Sequence, residues 1–308
     1  MKSTVKNAPR IAVVLGRVST EDTDRVIETI EALDPEVSGE QCEIVIADRL
    51  LDDLTDRIRR DYAHVRLIEC PAHMALPEMR TLAFEASNAA IVAVTEDHCV
   101  PTAGWAKTIM TAFDQAGPDV VAVGGSVVNG VTDTSLDWAT YLCEYSFFSP
   151  PVAEGESGVL AGNHVAYRRT ALESLPRELL TSGFWETTVH PVLLQKGGRF
   201  LSFNELVMLH KKRFSWRLFA SQRFIYSRYY AGLRFGKAAL PKRAAASVAS
   251  LALPPLLLVR AVQAARRKGL GHEMWRAAPY LLGFYCIWAV GESVGALRGP
   301  GKALAMIE

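Results

Sequence analysis

A chain of 308 residues, 49% hydrophobic and 22% charged, can bury a full α/β core and still carry a second module. Its five cysteines (Cys42, Cys70, Cys99, Cys143, Cys286) are scattered, odd in number and without a C-x-x-C pair, which excludes a disulfide framework or a zinc cluster and fits a reducing compartment. The net charge of +1 conceals an asymmetry: Lys211 to His272 contains no Asp or Glu while Lys and Arg recur, so the remainder is acidic on balance.

Residues 1–10 are charged and polar with no apolar run, so no secretory signal is expected and the bulk of the protein is expected in the cytoplasm. Ile11 to Leu15 is a β-branched run ended by Gly16, Asp22 to Leu33 reads as an amphipathic helix, and Glu43 to Ala47 is a second strand ended by Asp48. The alternation continues through a strand at Val65 to Glu69, a helix at Leu76 to Ser87, a strand at Ala90 to Val94, a helix at Trp105 to Ala116 and a strand at Val120 to Gly124. Such a pattern predicts an α/β fold with a mostly parallel, doubly wound sheet whose ligands bind at the carboxyl ends of the strands.

Beyond it, the pattern predicts a helix at Leu136 to Phe147, an extended segment at Val159 to Tyr167 broken by Gly162-Asn163, a helix at Thr187 to Lys196 and a last strand pair within Phe200 to Leu209. Phe214 to Lys237 interleaves aromatics with Arg217, Arg223, Arg228, Arg234 and Lys237, the composition of a helix at an anionic membrane surface. Two apolar stretches follow, Ala244 to Val259 and Ala277 to Leu297, and the second has the roughly 20 residues a bilayer crossing needs. The expected division is 9–210 for a catalytic domain, 211–243 for a basic aromatic interfacial segment and 244–308 for membrane-associated helices.

The strongest chemical signal is the strand end Val94-Thr95-Glu96-Asp97-His98-Cys99-Val100-Pro101. A carboxylate, a spacer and a second ligand on a tight turn can hold one side of a divalent cation that neutralises a diphosphate leaving group. This string, with Trp105 soon after, resembles the D-x-D motif of glycosyltransferase family 2, with Glu96 in place of the first Asp and His98 in place of the second. Gly162-Asn163-His164-Val165-Ala166-Tyr167-Arg168-Arg169 is similar to the family's G-G-N-x-A-[FY]-R-R segment, and Trp185-Glu186 stands where the family has its Glu-Asp pair.

The resemblance covers about Ile11 to His210 and implies a GT-A fold, an inverting transfer from a nucleotide sugar and a divalent metal, Mn2+ or Mg2+. It assigns Asp48 to the nucleobase, Arg80, Glu96 and Asp97 to the nucleotide sugar, and Gly162, Asn163 and Trp185 to the acceptor and sugar wall. Glu96, His98 and His210 become the metal ligands. The family's usual base position is Thr187, which leaves Glu186 as the expected catalytic base. With the basic, apolar C-terminal third, the expected acceptor is a lipid or lipid-linked glycan and the expected location the inner membrane, catalytic domain on the cytoplasmic side; no nucleic-acid partner is expected. Two other readings share parts of the pattern: a nucleotidyltransferase, for which Gly16-Arg17 alone is a poor glycine-rich loop, and a non-catalytic membrane scaffold of the same fold.

Overall fold

The computed structural model describes residues 9–37 and 41–308. In chain order the first elements are β1 (Ile11–Arg17), α1 (Arg25–Val37), β2 (Cys42–Asp48), α2 (Asp53–Asp61), β3 (Arg66–Glu69), α3 (Leu76–Ala86), β4 (Ile91–Val94), β5 (Cys99–Pro101), α4 (Trp105–Gln115) and β6 (Val120–Asn129). Then come α5 (Ser135–Tyr145), β7 (Gly155–Ser157), β8 (Val165–Arg168), α6 (Arg169–Glu173), α7 (Arg177–Thr181), α8 (Trp185–Gln195) and β9 (Arg199–His210). The C-terminal elements are helical: α9 (Trp216–Phe235), α10 (Leu240–Ala249), α11 (Leu253–Arg267) and α12 (Gly271–Arg298).

The strands form one mixed sheet in the order β3-β2-β1-β4-β8-β6-β9-β5, with β7 paired to β9. Its first half is parallel, with β1 between β2 and β4, and the register sets Arg17 opposite Asp48 and Val14 opposite Val94. β8 then runs antiparallel to both β4 and β6. The fully buried run Ile11–Leu15 is that of a strand covered on both faces, and its core partners include Ile30, Ile44, Ile46, Ile58, Trp105 and Phe113. The expected strand pair within Phe200 to Leu209 is instead the single strand β9, in which Phe200, Ser202, Leu206, Met208 and His210 alternate inward.

Contacts group the chain into two compact units. The first comprises the segments up to Val18, Thr23–Val127 and Pro151–Leu209, and the second Ser19–Asp22, Val128–Pro150 and His210–Glu308. The division falls within β6 and at the last residue of β9, so His210 closes a strand whose body belongs to the first unit.

Within the second unit α12 is the central helix. Trp216 of α9 stacks on Phe284 at 4.6 Å, and Ser227 faces Gly291 further along, so α9 and α12 run in the same direction. Arg243 donates to the carbonyl of Ala296 while Ser247 bonds Ser293 at 2.6 Å, so α10 runs the opposite way. The α9–α12 contact is close because Gly291 and Gly295 present no side chain there: a Cβ on Gly291 would lie 2.0 Å from Ser227 Oγ and 2.5 Å from the carbonyl oxygen of Phe224. Gly291→Val is therefore expected to destabilise this unit by about 1–3 kcal/mol or more through overpacking. Gly271→Ala, placed in open space, should leave the melting transition unchanged or slightly raised. Thermal melts of the two variants in the same detergent check this.

Candidate active site

The polar side chains of the first unit gather at the carboxyl ends of its parallel strands. Arg17 ends β1 and Asp48 ends β2; they are register partners, both no more than 1% exposed, and their ion pair is 2.8 Å long. A buried pair of this kind persists only when its remaining polar atoms are satisfied. Asp48 also accepts from Thr55 Oγ1 at 2.7 Å and from the Leu50 amide at 2.8 Å, and Arg17 reaches Asp52 at 2.6 Å. Asp52 and Thr55 are held in turn by the capping box that starts α2, where each side chain bonds the other's backbone amide. Asp48, expected at the nucleobase, thus stands inside a network with Arg17, Asp52 and Thr55 that the sequence did not single out.

The turn after β4 carries the next group. Asp97 sends one carboxylate oxygen to the Val18 amide at 3.0 Å and the other to His98 Nδ1 at 2.8 Å. An anionic acceptor at Nδ1 fixes the proton there and leaves Nε2 as a lone-pair donor, the arrangement that carboxylates impose on metal-binding histidines. His98 Nε2 lies 3.4 Å from Glu96 Oε2. Glu96 and His98, on the one turn, each offer a ligand atom. A mixed carboxylate and imidazole set fits a divalent cation such as Mn2+. Asp97, expected at the nucleotide sugar, is buried behind the histidine it orients.

Arg80, on α3, connects this turn to the second carboxylate. Its guanidinium is buried, lies 3.4 Å from Glu96 Oε1 and 5.7 Å above the Phe184 ring, and leaves Nε without a hydrogen-bond partner. Glu186, in the first turn of α8, has its Oε2 sealed from solvent and unpartnered. Burial pushes its carboxyl above the ordinary value; the positive charge of Arg80 opposes this, and Glu96 adds to it. Gly162 lies directly against this group, since a Cβ there would meet Glu186 Oε2 at 2.3 Å. Asn163 donates to Cys99 Sγ at 3.3 Å, joining the Gly162-Asn163 turn to the metal-ligand turn.

The structure therefore brings Arg80, Glu96, Asp97, His98, Gly162, Asn163 and Glu186 together. Trp185 is buried, donates to the Leu180 carbonyl and meets Phe84 and Tyr167 edge to face, which anchors the start of α8. His190 bonds the Tyr167 hydroxyl at 2.6 Å, and burial lowers its pKa to about 4, so it stays neutral behind the site. Thr187, at the family's base position, donates its hydroxyl to the Phe184 carbonyl.

A carboxyl whose native pKa is raised binds its proton more tightly folded than unfolded, so stability falls as pH rises from the unfolded value toward the native one. The burial penalty on Glu186 therefore grows as pH rises above the unfolded glutamate range. Glu186→Gln is expected to melt at a higher temperature than the parent near pH 7, with the gap closing on acidification below about pH 4, the unfolded glutamate range. Melts recorded across that pH range check it; a pH-independent gap would refute the buried, charged carboxylate.

The family model described as glycosyl transferase family 2 matches residues 20–175, just over half of the chain. No curated protein sequence matches. Among solved structures, a mannosyltransferase PcManGT from Pyrobaculum calidifontis in complex with GDP-Man and Mn2+ is 19% identical, with a TM-score of 0.49 over 89% of this chain and 87% of that one. GalNAc-T7 with UDP, GalNAc and Mn2+ is 14% identical at a TM-score of 0.51, covering 68% of this chain and 44% of that one, a likeness of fold alone. The chain is a glycosyltransferase and belongs to glycosyl transferase family 2.

Proposed function

We propose that the chain transfers a sugar from a nucleotide-sugar donor to a membrane-associated acceptor, a lipid or lipid-linked glycan, with inversion at the anomeric carbon. The observation that carries this reading is the Glu186 carboxylate beside Gly162, with its Oε2 sealed and unpartnered, placed across Arg80 from the Glu96–His98 turn. Glu186 is the base: its raised pKa suits removal of a proton from an acceptor hydroxyl as that oxygen attacks the sugar. Arg80, buried with Nε unpartnered, meets the charge of the diphosphate. Glu96 and His98 would hold a divalent cation, which would supply charge neutralisation at the leaving diphosphate. Asp48 and its network take the nucleobase, Asp97 keeps His98 in the ligating tautomer, and Gly162 and Asn163, with Trp185 behind them, form the sugar and acceptor wall.

Two helical stretches, Leu240–Arg267 and Gly271–Arg298, are each long and apolar enough to cross a bilayer. They differ in cover: 44% of the apolar window in the second is buried against protein, but only 11% in the first. Leu240, Val248 and Leu251 of the first are 67%, 68% and 73% exposed, a belt that membrane lipid would cover. This supports attachment to a membrane; the membrane proposed is the inner one, with the catalytic domain cytoplasmic.

The catalytic assignment is tested by Glu186→Gln, expected to bind nucleotide sugar nearly as the parent does while losing about 100- to 10,000-fold in transfer. Transfer at the parent rate would put the base elsewhere. Glu96→Ala and His98→Ala are expected to remove the metal-stimulated part of donor binding, measured by titration calorimetry with and without chelator; unchanged binding in excess chelator would overturn the metal assignment. Membrane attachment predicts that the full chain stays with membranes through high-salt and alkaline washing, whereas release by salt alone would reduce it to a surface electrostatic contact.

A further inference from the structure

The second unit contains a cavity that the transfer reaction does not use. After α12 the chain turns through Gly299, Pro300 and Gly301, with φ of 78° at Gly299 and 55° at Gly301, and returns along α9 as a short 3-10 turn, Ala303–Met306. Gln222 ties this strap down, donating to the Met306 carbonyl and accepting from the Glu308 amide. Gly232 lets it approach, since a Cβ there would lie 2.3 Å from the Pro300 nitrogen. Between strap and helix remains a cavity of about 660 Å³, within the range of small-molecule sites.

Its walls are of two kinds. Phe224, Ile225, Ala303 and Met306 make it apolar, and Arg228 and Lys302 supply two cations with no carboxylate among the lining residues. Three other arginines of the same unit are matched. The Arg223 guanidinium bonds Glu144, Arg234 bonds Glu292 at 2.5 Å, and Arg213 bonds Asp133. Arg228 instead lies against the left-handed Gly301 backbone, where a Cβ would come within 2.5 Å of its Nη2, and its recorded hydrogen bond is to the Gly299 carbonyl at 3.4 Å. Among the described residues neither Arg228 nor Lys302 has an acidic partner. Nearby in sequence the apolar Leu233 and Met306 are 47% and 57% exposed.

We infer that this cavity binds an anionic membrane lipid, its phosphate against Arg228 and Lys302 and the first carbons of its chains against Phe224, Ile225 and Met306. Two cations placed beside an apolar slot match a phosphate monoester joined to hydrocarbon better than they match a free nucleotide, whose base and ribose would find, besides the cations, the Ser221 hydroxyl as the one polar side chain on these walls. The inference rests on the membrane reading above and is independent of the catalytic residues.

The test uses the full chain purified in a neutral detergent, titrated with dioleoyl phosphatidic acid or dioleoyl phosphatidylcholine, with retained lipid counted by native mass spectrometry. The parent is expected to retain phosphatidic acid in preference. Arg228→Gln combined with Lys302→Gln should weaken that retention by about tenfold or more, the scale of lost charge-assisted hydrogen bonds. Arg217→Gln with Lys237→Gln, which removes the same charge outside the cavity, should not. Met306→Glu, an exposed position that can change without threatening the fold, should weaken it as well. Equal loss in both double variants would show unspecific surface charge and overturn the site, as would full displacement of the lipid by inorganic phosphate. A chain that stays monodisperse after detergent removal would overturn the membrane reading itself, a result separable from any outcome of the titration.

Discussion

One buried guanidinium sets the terms for the candidate active site. Arg80 stands between Glu96 and the Glu186 carboxylate, two acidic groups that raise each other's cost of ionisation in a place with little water. The cation holds that cost down without cancelling it, which leaves Glu186 with a raised pKa rather than an ordinary one. Too close a match would make a structural ion pair; no match would leave a neutral acid unable to accept a proton. Phe184 beneath the guanidinium and the α3 packing fix where the charge sits, so the chemistry of the site depends on core residues that touch no ligand.

How far this was legible in sequence follows from which physical signals are local. Parallel strands β1, β2 and β4 announce themselves as β-branched runs because burial on both faces removes the polar alternation. Helix α2 went unread because only Thr55 and Ile58 are buried along it, so no apolar stripe forms; its signature is the capping pair Asp52 and Thr55. Strand β9 was divided in two because Asn204 and Glu205 are exposed at its middle and mimic a turn, although the inward alternation of Phe200, Ser202, Leu206 and Met208 runs through them. The extended reading of Val159 to Tyr167 shrank to Val165–Arg168, since the turn at Gly162-Asn163 is held by a long-range contact to Cys99.

The site divides in the same way. Glu96 and His98 could be proposed from the spacing of a carboxylate and a second ligand on one turn, and Glu186 from the resemblance that sets Trp185-Glu186 at the family's Glu-Asp pair. The groups that position them could not. Asp97 looks like one more acid in the turn until Val18, 79 residues away, takes one oxygen and His98 the other. Gly162 resembles a flexible joint until the space it leaves is seen to hold Glu186. Arg17, too little for a glycine-rich phosphate loop, is the counter-charge that permits Asp48 to be buried at all.

Charge in the C-terminal third shows why composition and electrostatics differ. From Lys211 to His272 the sequence offers no acid, which suggests a uniformly cationic surface. Folding imports carboxylates from other segments: Glu144 comes from α5 to meet Arg223, and Glu292 from α12 to meet Arg234. The first pair is buried and stacked on Phe219 and Tyr226, so it contributes to packing rather than to a surface field. Arg217 and Arg228 on α9 have no acidic partner among the described residues. An acid-free stretch is therefore a pool of cations from which the fold selects, pairing some with carboxylates of distant segments and leaving others to face their surroundings.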